Sequence, residues 1–171
     1  MLGLALAFTL APSLAAANYG PFWGGGGAVT KDLSTTKIMT TKASGTFDVK
    51  MTPVNGAEDT EAAIGRFTID KQYHGDLEAT ARGQMLSSGN PQSGSAGYVA
   101  IEVVSGKLNG KEGSFALQHS GTMHQGSQSL VVSVVPGSGT GALAGISGTL
   151  EIIIEGKKHS YVLTYSLPNS M

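Results

Sequence analysis

From Ala43 onward, apolar and polar residues alternate in short runs separated by turn dipeptides. This is the period-two signature of half-buried strands. No stretch of a dozen residues keeps a helical period. Gly65, Gly83, Gly97, Gly106, Gly113, Gly121 and Gly148 recur within the runs, and each would cost a helix about 1 kcal/mol against alanine. The pattern predicts eight strands, at about 43–52, 64–72, 77–86, 95–104, 113–124, 128–135, 147–155 and 158–167. His74-Gly75, Asn109-Gly110, Gln125-Gly126 and Gly156-Lys157 supply turns between them. Asn109-Gly110 is the strongest signal, because a type I′ turn needs positive φ at both central residues. Tight hairpins make an up-and-down meander. An even strand number lets the first and last strands pair antiparallel and close, which removes exposed edges. The expected fold is all-β, a single closed eight-stranded antiparallel barrel.

The turns also fix register, and register decides which side chains share a face. Around Gly156-Lys157, Leu150, Ile152 and Ile154 share a face with His159, Tyr161, Leu163 and Tyr165, opposite Glu151, Glu155 and Lys158. Around Asn109-Gly110, Tyr98, Ala100, Glu102 and Val104 join Phe115, Leu117 and His119. Gln125-Gly126 adds Leu130, Val132 and Val134. Three hairpins therefore agree on one lumen, mainly aliphatic and aromatic, with Glu102 and His119 as its polar members. The hairpin at His74-Gly75 admits two faces. Phe67 and Ile69 inside bring Thr80 and Arg82 with them, and Arg82 then neutralises Glu102 from one strand away. The opposite face carries Arg66, Asp70, Ala79, Ala81 and Gly83; the first assignment is adopted.

The chain has 171 residues, 25 of them glycine, with no cysteine and a net charge of −1. That length suits one domain with a real core. The absence of cysteine removes disulfides, thiolate nucleophiles and cysteine-ligated metal. Arg66 and Arg82 are the two arginines and the lysines are scattered, so no basic stripe suggests nucleic acid. Residues 1–17 read as a signal peptide ending in Ala15-Ala16-Ala17, although no basic residue precedes the apolar run. Secretion or a periplasmic location follows as an expectation, with no membrane association after processing. Residues 18–42, rich in glycine and threonine, read as a flexible lead-in to a barrel domain at 43–168.

Gly75-Asp76-Leu77, Tyr98 to Glu102, and the run from Gly106 to His119 resemble a bacterial and fungal domain family of unknown function with an allene-oxide-cyclase-like barrel. The segment Val135 to Gly148, with its Ser138-Gly-Thr140-Gly loop, and the closing Tyr165-x-Leu167 are similar to that family as well. Lys111 stands where the family often has arginine. The resemblance covers about residues 43–168 and implies an eight-stranded, often self-associating barrel. It implies no particular reaction.

Glu102 and His119 are the sharpest candidates for chemistry, as acid and base in a dry lumen or as a structural pair. Arg82 could bind a ligand carboxylate or neutralise Glu102. Tyr98, Phe115, Tyr161 and Tyr165 are candidate ligand-lining residues, though aromatic residues also simply pack. The Ser138-Gly-Thr140-Gly loop lacks a following lysine and helix, so a strand connection accounts for it better than a phosphate cradle. His74, His119, His124 and His159 show no metal-ligand spacing, and no Gly-x-Ser-x-Gly elbow is present. No metal or cofactor is expected. Val99, Ile101 and Val103 should face outward as an apolar stripe, pointing to a homo-oligomer. The leading functional reading is a barrel binding a hydrophobic small molecule in its lumen. The alternatives are a cyclase or isomerase using Glu102 and His119, and a scaffold with a filled lumen.

Overall fold

The computed structural model describes residues 39–54 and 64–168. The expected signal peptide and most of the expected lead-in lie outside the described residues. Eight strands run β1 Thr41–Pro53, β2 Ile64–Gly75, β3 Leu77–Asn90, β4 Ser95–Leu108, β5 Lys111–His124, β6 Ser127–Val134, β7 Ser147–Glu155 and β8 Lys158–Ser166. Each pairs antiparallel with its sequence neighbours, and β1 pairs with β8 through rungs such as Ala43↔Leu163 to close the barrel. The β3 and β4 strands run four residues past their expected ends. Beyond β3, Asn90 caps a short 3₁₀ turn, its side chain accepting from Gln92 N at 2.9 Å.

Asn109 and Gly110 both have positive φ, 47° and 77°, as the type I′ turn requires; Gln125 and Gly126 repeat the arrangement. With these turns fixed, the three-hairpin lumen forms as the alternation demands. Ala100, Val104, Phe115, Leu117, Leu130, Val132, Leu150, Tyr161 and Leu163 are all buried.

The hairpin between β2 and β3 departs from expectation. Its last rung is Tyr73↔Ala79, not a pair flanking His74-Gly75. Asp76 is held elsewhere: its carboxylate accepts from Ser44 N at 2.8 Å, and its own N–H donates to Ser44 O at 3.0 Å. The resulting five-residue loop shifts β3 by an odd number of positions, and an odd shift exchanges faces. Ala79, Ala81 and Met85 are therefore buried on the same side as Ile69, while Arg82 points outward beside Asp70. The expected inward Arg82 and its pairing with Glu102 are overturned.

The two ends of the barrel differ. At the end carrying the β2–β3 and β4–β5 turns, Leu77, Leu108 and Phe115 are at most 1% exposed. Leu143 and Ile146, from the connection between β6 and β7, join them in the core. That connection replaces most of a strand ladder, since β6 and β7 share the single rung Ser133↔Thr149. Val135 N donates to Ala116 O, and Thr140 N donates to Ser114 O. Ser138 Oγ accepts from Ala116 N at 3.0 Å and Thr140 Oγ1 from Ser114 N at 3.1 Å. Two side-chain hydroxyls thus satisfy β5 backbone donors that a neighbouring strand would otherwise take. At the other end, inward-facing Val49, Met51, Phe67, Tyr98 and Ile152 are only half-buried.

Candidate functional site

The β3 strand presents small residues inward, Ala79, Ala81 and Gly83, and so leaves a low floor between β2 and β4. Adjacent strands lie about 4.8 Å apart, so side chains two strands apart can meet across such a floor. Lys71 from β2 and Glu102 from β4 do so, with Lys71 Nζ 2.8 Å from Glu102 Oε1. Tyr73 also donates to Oε1, at 2.9 Å, and His119 Nε2 lies 3.2 Å from the same oxygen. In the tautomer protonated at Nε2, His119 is the third donor. Glu102 is fully buried, and Lys71 and His119 are nearly so. The Lys71 ammonium also sits 5.0 Å from the centre of the Phe47 ring, a cation–π contact that partly replaces lost hydration.

The four groups are therefore one network around a single carboxylate oxygen. Burial works to raise the Glu102 pKa, but the His119 hydrogen bond and the Lys71 charge outweigh it and hold the value down at about 2. Burial raises the Tyr73 pKa well above the usual phenol value, and the Glu102 charge adds to the effect. Tyr98, four residues from Glu102 on the same face, is pushed up to about 12 by burial first and the Glu102 charge second. The carboxylate is consequently anionic and the phenols are protonated at neutral pH. The second carboxylate oxygen, Oε2, is buried without a hydrogen-bond partner.

The structure brings together two of the expected site residues, Glu102 and His119, at the diagonal positions that the Asn109-Gly110 turn implies. Tyr98 stands beside them toward the half-open end, its ring lying against Gly121, where a side chain would collide with it. Phe115, Tyr161 and Tyr165 lie in the core toward the sealed end. The Tyr161 hydroxyl accepts from Leu77 N at 2.9 Å and donates to His74 O at 3.2 Å; the Tyr165 hydroxyl accepts from Asn109 Nδ2 at 3.0 Å. Arg82 lines an outer depression with Asp48, Lys50 and Asp70 instead. Sequence reasoning missed Lys71, Tyr73 and Gly83. The alternation through Phe67 and Ile69 continues to Lys71 and Tyr73, so the signal was available. Among the described residues, no group of three or more His, Asp or Glu side chains could hold a metal ion.

The sequence pattern of the family described as "Protein of unknown function (DUF3224)" matches residues 43–165. The chain belongs to the DUF3224 family. It is also similar to the crystal structure of a DUF3224-family protein of unknown function from Shewanella oneidensis MR-1. The two are 46% identical with a TM-score of 0.71, over 77% of this chain and 100% of that one. No curated protein matches the sequence. Neither description names an allene oxide cyclase. In this DUF3224 barrel, the motif residues Asp76, Ser138 and Thr140 tie strands and loops together near the sealed end.

Proposed function

We propose that this protein is a binding barrel that takes one hydrophobic small molecule at the half-open end of its lumen, above the Glu102 network. One observation carries the reading. Inward side chains at one end are fully packed, whereas Val49, Met51, Phe67, Tyr98 and Ile152 at the other are only half-buried although they face inward. Partly exposed apolar lining beside a few convergent polar groups is the usual character of a small-molecule site. An eight-stranded barrel has room for one such ligand. The low Glu102 pKa favours binding over acid–base turnover, because an efficient general acid or base has a pKa near the working pH.

Titration with the neutral fluorescent probe N-phenylnaphthylamine tests the reading. Saturable binding of one probe per chain is expected, weakened by Ile152→Trp while the fold melts normally. A linear, non-saturating signal would return the filled-scaffold reading. Mass spectrometry of material released from the purified protein by denaturation would identify a natural occupant.

A further inference from the structure

The Glu102 carboxylate is satisfied on one side only. Lys71, Tyr73 and His119 converge on Oε1. Oε2 carries comparable charge, is shielded from solvent and receives no donor. Leaving a buried carboxylate oxygen unpaired costs more than a typical hydrogen bond returns, so such an atom in a folded protein calls for a partner. Lys71 is already divided between Oε1 and Tyr73.

The next layer toward the half-open end contains Met85 and Ala100, with Met51 and Tyr98 packed against that cluster. Methionine is unbranched and repacks at low cost, so this layer is a soft barrier between the half-open end and Glu102. We infer that the molecule taken by this lumen presents a hydrogen-bond donor, a hydroxyl or an ammonium on an apolar body, to Glu102 Oε2. The inference rests on the lumen-binding reading above. It adds that a ligand ending in a carboxylate is disfavoured, since it would set two anions together with no proton between them.

Three ligands of one shape test this on the unaltered protein: naphthol, methoxynaphthalene and naphthoate. Hydrogen bonds to charged groups discriminate by about 10- to 100-fold. Naphthol should therefore bind that much more tightly than methoxynaphthalene, which cannot donate, with naphthoate weakest. Glu102→Gln, checked for a normal melt, should erase the preference. Equal affinities for naphthol and methoxynaphthalene would overturn the donor inference while leaving lumen binding intact. Tightest binding by naphthoate would also overturn it, marking Lys71 as an anion site. If none of the three binds, the lumen reading itself fails, and the inference with it.

Discussion

Gly83 lies directly opposite Glu102 in the β3–β4 ladder, where a side chain would run into the Ile101 carbonyl and the Glu102 backbone. A Cβ at Gly83 would fall 2.7 Å from both the Cα and the Cβ of Glu102. Overpacking of this kind costs about 1–3 kcal/mol. Gly83→Ala should lose about that much in urea denaturation. Unchanged stability would mean that the ladder can spread freely at this rung.

Lys71 is the cation that makes the buried Glu102 tolerable. Lys71→Met keeps the bulk of the side chain but strands the carboxylate, and breaking a buried pair in this way costs about 3–5 kcal/mol. The double variant Lys71→Met/Glu102→Gln should recover much of that loss. Strict additivity of the two single effects would show that the residues do not interact. Arg82→Ala is the control, because its contact with Asp70 is 3.6 Å long and its side chain is 89% exposed. Such a pair contributes between nothing and about 1 kcal/mol.

Acid should weaken the fold through Glu102. Its folded pKa of about 2 lies below the ordinary 4.5, so the unfolded chain binds the proton more readily. The stabilisation is present in full above pH 4.5 and disappears as pH falls toward 2. Its size is on the order of 3 kcal/mol. Melting curves across this window should fall more steeply for the wild type than for Glu102→Gln. Parallel curves would show that other carboxylates govern the acid transition.

Gly110 has open space around it, with nothing within 4 Å of where a Cβ would stand, yet its φ of 77° lies in the left-handed region. Gly110→Val should therefore destabilise by about 1–3 kcal/mol through backbone strain alone. Gly110→Asn, which tolerates this region, should cost much less. Equal effects of the two would locate the cost in sterics instead.

The outer face of β3 to β6 carries Leu86, Val99, Ile101, Val103 and Val131, with Val99, Ile101 and Val103 each more than half exposed. Ser120, Gln118 and Ala116 fill the β5 positions opposite β4, and Arg82 stands opposite Val103. A face this poor in charge resembles an interface core, which is depleted of charged residues. It offers little attraction to an oppositely charged partner, so the expected partner is a second copy of the chain. Ile101→Glu should lower the sedimentation mass to that of one chain. A wild type that already sediments as a single chain would exclude the association.

The barrel was legible because its signals are local. Asn109-Gly110 and Gln125-Gly126 dictate their own backbone, and period-two alternation carries the register outward from them. Glu102 and His119 could be placed together for that reason. Arg82, not Lys71, is the residue the sequence misplaces, because His74-Gly75 is not a self-contained turn. Its geometry is set by Ser44, 32 residues away from Asp76 in the chain, and no local pattern reports such a tether. The role of Ser138 and Thr140 was hidden likewise, since a hydroxyl standing in for a strand leaves no alternating signature.

The single rung between β6 and β7 has a consequence for motion. Every other seam of the barrel is a multi-rung ladder, whereas this one has a single rung, with Leu143 and Ile146 from its connection packed into the core. Regions with few ladder bonds open at lower free energy than the global fold. Amide protons that point into this seam should exchange with deuterium ahead of those in the β4–β5 ladder. The cylinder should therefore widen first along this line, which lies outside the strands β2, β4 and β5 that carry the Glu102 network.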